Sequence, residues 1–208
     1  MTTIYLVRHS KTLKVNDSYT KDSLQIQNEK KILSLEGEAL AEKHFSNEIF
    51  NNIDCVYSSN YIRAISTAKY VAEKNNIEIN IIDDLGERKF GINTWDELPN
   101  NFERKQFLDE DYKIVGGESQ REVRKRMKSA IMQILNENRE KKIVIVSHGT
   151  AISFLLKEWC DIELVEEKLQ YNFNGKNIFN GYLNNCETFK LEFDNDYNLI
   201  GIKNINTY

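Results

Sequence analysis

The sequence is short of the residues that staple, coordinate or span. Its 208 residues include only three cysteines, one proline and three histidines. Cys55, Cys160 and Cys186 are odd in number, far apart and without a CxxC pair, which excludes a disulfide framework and a cysteine zinc site. Reduced thiols and a cytoplasmic protein are the expectation. Apolar runs are brief, Ile143 to Val146 and Ala151 to Leu156 being typical, far below the roughly 18 residues of a membrane span. No transmembrane helix is expected, and the first residues lack the basic region of a signal peptide. A formal charge of -4 and a pI near 5.6 supply no general positive field, which argues against nucleic acid or an anionic membrane as partner. Any anion site must therefore be local, and where the few histidines fall becomes informative.

What is present alternates. Thr3 to Val7 reads as a buried strand that empties into Arg8-His9, followed by a long polar loop from Ser10 to Leu33. Leu35, Ala39, Leu40 and Phe45 recur at helical spacing over 35–50, with Ser34 as N-cap. Ile53 to Tyr57 is a second strand; Ser58-Ser59-Asn60 is taken as the cap of a helix carrying Ile62, Ile65, Ala68 and Val71. Ile77 to Ile82 is a third strand, and a weak helix lies near Phe102 to Leu108. Ser119 with Glu122 forms a capping box ahead of a long amphipathic helix through Leu135. Ile143-Val144-Ile145-Val146 has the unbroken apolar character of a central parallel strand, and a helix follows to about Trp159. Thr188 to Phe193 and Leu199 to Ile205 alternate as a closing hairpin.

This order predicts one α/β domain over 1–208: a three-layer sandwich with a mainly parallel central sheet, helices on both faces and antiparallel edge strands near the C-terminus. A small cap or loop region is expected around 92–115. In such sheets ligands bind beyond the carboxyl ends of the strands. Here those ends deliver Arg8 and His9, then Ser58 and Arg63, then His148. Arginine forks suit phosphate oxygens, and an imidazole among cations is biased toward its neutral, nucleophilic form. Glu87, just past the third strand, is the nearest candidate acid for a leaving alcohol.

Leu6-Val-Arg-His-Ser-Lys-Thr12 resembles the RHG motif of the histidine phosphatase superfamily, also called phosphoglycerate mutase-like. Tyr57 to Ala68 resembles its second-arginine motif, Gly86 to Gly91 its acid loop, Gly116-Gly-Glu-Ser119 its pre-helix turn and Val146-Ser-His-Gly149 its second-histidine motif. The resemblance covers nearly the whole chain. It implies that His9 attacks phosphorus, that Arg8, Arg63 and His148 hold phosphoryl oxygens, and that Glu87 protonates the leaving oxygen. It also implies no cofactor and no metal. The expected activity is hydrolysis of a small phosphorylated substrate. A phosphoglycerate mutase would use the same residues, but the family's mutases carry a long insertion after the acid loop, whereas Glu87 and Gly116 are separated here by a short segment. A non-enzymatic phosphate-binding protein on the same scaffold usually loses the nucleophile or an arginine, and both are retained. Two positions depart from the pattern: Ser10 replaces the usual glycine, and Asn16 stands near, but out of register with, a family asparagine.

Other residues carry plainer expectations. Asp84 and Glu118 compete with Glu87 as carboxylates, and His44 is expected at the surface. The basic run Arg121, Arg124, Lys125, Arg126 and Lys128 reads as a solvated helix face. Lys11, Lys14, Arg88, Lys89 and Arg104 are loop cations able to meet further anionic groups on a substrate or simply to be solvated. Trp95, Phe102, Phe107 and Tyr112, like Tyr171, Phe173, Phe179 and Tyr182, either wall a pocket or pack a cap.

Overall fold

The computed structural model describes residues 1–14, 22–166 and 168–205. Four parallel strands form the centre: β1 (Thr2–Arg8), β2 (Cys55–Ser58), β3 (Ile79–Ile81) and β4 (Lys142–Ser147). With β8 (Thr188–Phe193) and β9 (Leu199–Ile205) added antiparallel, the order is β3-β2-β4-β1-β8-β9. Because side chains alternate across a strand, β1 and β4 feed two cores at once. Ile4, Leu6, Ile143 and Ile145 face α5 (Gln120–Glu137) and α6 (Gly149–Leu156), while Tyr5, Val7, Val144 and Val146 face α2 (Leu35–Ser46) and α3 (Ile62–Asn75). The expected three-layer sandwich follows from that alternation.

The helix starts divide. Ser34 accepts from the Gly37 N–H, and Ser119 with Glu122 makes the capping box, both as expected. The expected Ser58-Ser59-Asn60 cap is not used: Tyr61 is the N-cap of α3 and makes no side-chain capping bond. Ser59 is engaged elsewhere. The segment expected as loop contains α1 (Leu24–Lys30), capped by Ser23. α2 stops at Ser46 before a 3-10 turn at Glu48–Phe50, and α6 stops at Leu156. β3 is shorter than the expected Ile77 to Ile82.

A second sheet was not anticipated. Strands β5 (Asp161–Val165), β6 (Lys168–Phe173) and β7 (Lys176–Gly181) form an antiparallel meander. Its rings tie it to the main sheet, with Tyr171 and Phe179 packed on Phe189 of β8 at 5.7 and 5.6 Å between centroids. A legible signal existed: Asn174-Gly175, between Phe173 and Lys176, has both residues at positive φ, 49° and 72°, as a tight hairpin turn requires.

His44 is a correction. It is 2 % exposed, packs against Phe45 and Phe50, and bonds Thr188 Oγ1 at 3.0 Å. Burial lowers its pKa to about 4. The charged neighbours that suggested a surface position occupy the other side of α2.

Candidate active site

β1 ends at Arg8 and hands His9 to the sheet's carboxyl edge, where the His9 N–H donates to Ser147 O at 2.9 Å. The next residue is fixed from two helices. Ser10 N–H donates to Thr67 Oγ1 at 2.9 Å and Ser10 Oγ donates to Gly37 O at 2.7 Å, so the side chain that replaces glycine is turned into the protein. Gly37 itself admits no side chain, since a Cβ there would meet Lys11 O at 1.9 Å. Asn16 lies outside the described residues.

The ring of His9 has a defined protonation pattern. Nδ1 lies 2.7 Å from Ser10 O, and a carbonyl only accepts, so Nδ1 carries the proton. Nε2 then keeps its lone pair, which accepts from Arg63 Nε at 3.0 Å. Burial first, then the charge of Arg63, holds the pKa of His9 well below 6.5, so the imidazole is neutral near pH 7.

His148 follows β4 and is fully buried, with its ring centroid 5.2 Å from that of His9 and 4.6 Å from that of Tyr61, each pair tilted by 59°. Ser59 Oγ accepts from the Tyr61 N–H at 3.3 Å and lies 2.8 Å from His148 Nε2. Donation of the Ser59 proton to Nε2 leaves the proton of neutral His148 on Nδ1. Burial, then Arg63, holds His148 neutral too.

The arginines are anchored through backbone oxygens and aimed by them. Arg63 Nη1 donates to Asn28 O of α1, and its guanidinium lies 4.8 Å from the Tyr61 ring. Arg8 Nη1 donates to Leu183 O. Burial lowers both arginine pKa values, and the charge of Glu87 opposes that loss in each. Glu87 reaches the start of α6: Oε1 accepts from Arg88 N at 2.9 Å and Ala151 N at 3.0 Å, Oε2 from Thr150 N at 3.3 Å. All five expected residues thus meet at one edge. Two buried nitrogens, Arg8 Nε and His148 Nδ1, have no protein partner among the described residues, and an oxyanion would supply an acceptor for Arg8 Nε and, in the tautomer with the proton on Nδ1, for His148.

The profile of the histidine phosphatase superfamily (branch 1) matches residues 4–198. The chain belongs to that superfamily. Solved structures agree in fold. Bacillus stearothermophilus YhfR is 22% identical with a TM-score of 0.70, covering 96% of this chain and 94% of its own. A phosphoserine phosphatase of Entamoeba histolytica, in complex with 3-phosphoglyceric acid, is 23% identical with a TM-score of 0.68, covering 100% and 98%. A mycobacterial glucosyl-3-phosphoglycerate phosphatase complexed with VO3 is 18% identical with a TM-score of 0.68, covering 98% and 97%. A search of curated protein sequences finds no match.

Around this cluster lie residues that sequence reasoning missed. Tyr61 seals it, its hydroxyl accepting from Gln25 at 2.7 Å and lying 3.4 Å from Glu87 O; burial raises its pKa to about 12. Arg126 is the larger correction to the solvated-face reading. Its guanidinium donates to the carbonyls of Asp84, Gly86 and Glu87 at 2.7, 3.0 and 3.2 Å and pairs with both oxygens of Glu118 at 2.7 and 2.9 Å. Glu118 also accepts from the Lys89 N–H at 2.9 Å, so the acid loop is pinned at both ends. Glu118 is thereby committed, and Asp84 is exposed. Elsewhere in that basic run, Arg121 pairs with Asp111, Arg124 with Glu110 and Lys128 with Glu158, and Lys125 is exposed.

Arg88 is also not a loop cation. It is 1 % exposed, pairs with both Glu103 oxygens at 2.7 and 2.8 Å, and lies between the Phe90 and Phe102 rings. Lys11 pairs with Glu36. Phe102 and Tyr112 pack together in the 92–115 segment with Phe90, and Trp95 packs on Phe90. Phe107 and Tyr182 instead line a cavity of about 600 Å³ that also touches Arg8, Gly149 and Thr150. Its far side is α4 (Phe102–Leu108) and the small sheet. Among the described residues no helix is long and apolar enough to cross a membrane, and no group of three or more His, Cys, Asp or Glu could hold a metal ion.

Proposed function

We propose that the protein hydrolyses small phosphomonoesters through a phosphohistidine on His9. The observation that carries this reading is the His9 ring: neutral, with Nδ1–H tied to Ser10 O and the Nε2 lone pair beside the Arg63 guanidinium. Arg8, Arg63 and the Nδ1–H of His148 bind the phosphoryl oxygens. Nε2 attacks phosphorus; the P–N bond forms as the ester P–O bond breaks, and the carboxyl of Glu87 gives its proton to the departing oxygen. Water then attacks phosphorus, its proton passes to Glu87, the P–N bond breaks and inorganic phosphate leaves. Fixed cations and N–H donors meet the charge that develops on the phosphoryl group, so no metal is called for by this chemistry. The 92–115 segment serves as the cap over the leaving group.

Three free thiols, Cys55, Cys160 and Cys186, support action in the reducing cytoplasm. The test is rapid quenching with a phosphomonoester, followed by mass spectrometry of the denatured chain. Phosphate on His9, with release of one inorganic phosphate per ester cleaved, is the expected result. Interconversion of 2- and 3-phosphoglycerate without phosphate release would replace the hydrolase reading with a mutase one.

A further inference from the structure

The cavity beside Arg8 says what kind of alcohol the phosphate is attached to, an inference that rests on the phosphatase reading above. Its volume of about 600 Å³ lies in the range of organic-ligand pockets and exceeds what a phosphoryl group needs. One end is Arg8, Gly149 and Thr150. The walls are apolar: Phe107 from α4, Phe154 from α6, Leu164 from β5, Leu169 from β6, and Tyr182 and Leu183 just past β7.

The polar groups in the wall are largely occupied. Both Glu103 oxygens accept from Arg88. Ser153 Oγ is bonded to Gly149 O at 3.0 Å and to the Tyr171 hydroxyl at 2.8 Å. Asn101 and Arg104 lie on the exposed side. None of Lys11, Lys14, Arg88 or Lys89 lines the cavity, and among the described residues a leaving group rich in negative charge finds one side-chain cation beyond Arg8, that of Arg104. A three-carbon phosphorylated acid that set its carboxylate against the leucine and phenylalanine wall, away from Arg104, would bury a charge without a partner, which is costly.

We propose that the site prefers phosphomonoesters of bulky, largely apolar alcohols, held with the phosphoryl group at Arg8 and the body against the wall formed by α4 and the small sheet. Each methylene removed from water should raise kcat/KM about fourfold until the cavity is filled.

The experiment is a ladder of primary alkyl phosphates, ethyl, butyl, hexyl and 2-phenylethyl, run beside O-phosphoserine and 3-phosphoglycerate. The alkyl ladder keeps the leaving-group chemistry nearly constant. Calorimetric binding of methylphosphonate and hexylphosphonate gives a second readout that needs no turnover. A rise of at least tenfold in kcat/KM from ethyl to hexyl, flattened in both Leu169→Asn and Phe107→Ser, is expected, with hexylphosphonate binding at least tenfold tighter than methylphosphonate. A flat or falling ladder, or O-phosphoserine or 3-phosphoglycerate turning over faster than hexyl phosphate, overturns the preference while leaving the phosphatase reading intact. If no ester releases phosphate yet phosphonate affinity still rises with chain length, the phosphatase reading fails and the apolar selectivity of the cavity stands.

Discussion

The two ends of the site are built by opposite means. At the phosphoryl end, His9, Arg63 and His148 are buried at strand ends and at the start of α3, and each polar contact runs to a backbone atom or to another buried side chain. At the leaving-group end, the wall is assembled from a seven-residue helix and three short strands whose residues are mostly half-buried or exposed. Chemistry needs groups that do not move relative to one another, and the interior of a parallel sheet provides that. Accommodation of an alcohol needs only a surface of the right shape and polarity, which short peripheral elements can supply.

The largest expected effect falls on the phosphoryl end. His9→Ala should reduce phosphate release to background and abolish the covalent phosphoenzyme, while vanadate binding through the arginines persists. Arg63→Ala should lower kcat by about 10²- to 10³-fold, the cost typical of removing one donor to a developing oxyanion. If Arg63→Ala instead changed the alkyl ladder and left kcat intact, the division between the two ends would be wrong.

The acid loop joins the two ends and is the next place to test. Glu87→Gln should slow alkyl phosphates by about 10²-fold or more, yet affect p-nitrophenyl phosphate by less than about tenfold, since a good leaving group needs little protonation. Arg126→Gln should show the same dependence on the leaving group at about tenfold, because three loop carbonyls and Glu118 lose their common donor. Arg126→Lys should not rescue it, as an ammonium cannot reproduce a planar fork. Equal losses on both substrates in Arg126→Gln would reduce Arg126 to a stabilising ion pair.

The same division decides what was legible in the sequence. β1 and β4, their alternating faces and the residues at their ends were readable because burial on both faces leaves unbroken apolar runs and sets reactive residues directly after them. β5 to β7 were not, since half-buried strands rich in Asn, Gln and Lys carry a weak period-two signal; only Asn174-Gly175 announced the hairpin. Arg88 and Arg126 were misread because their spacing looks like that of solvated cations. Their partners, Glu103 and the loop carbonyls, come together only in the fold. His44 was misread for the converse reason: Thr188, its partner, lies 144 residues away.

Gly37→Ala tests how tightly the phosphoryl end is held. A Cβ 1.9 Å from Lys11 O must push the start of α2 away from the segment after His9. A loss of about 3 kcal/mol in unfolding free energy is expected, the upper end of overpacking costs, together with reduced turnover as Ser10 and His9 shift. Unchanged stability in urea would mean that α2 can move without cost.

The smallest effect separates acid inactivation of the site from acid unfolding of the fold. His44 has a folded pKa of about 4, against 6.5 for the exposed group. Between those values the unfolded chain binds a proton that the folded one refuses, so stability is at its full value above pH 6.5 and falls as the pH drops toward 4. For His44 alone the fall between pH 7 and pH 5 is about 2 kcal/mol. His9 and His148, also lowered by burial, add to the slope in the same direction. His44→Gln keeps a donor for Thr188 and carries no titrating group, so urea unfolding at the two pH values should show a difference smaller by about 2 kcal/mol. Since His9 and His148 stay neutral in the folded chain, loss of turnover through this pH range should lessen in the same variant to the extent that it reflects unfolding. An unchanged pH slope in His44→Gln would mean that His44 is protonated without cost in the folded state, and that its burial against Phe45 and Phe50 does not exclude the charge.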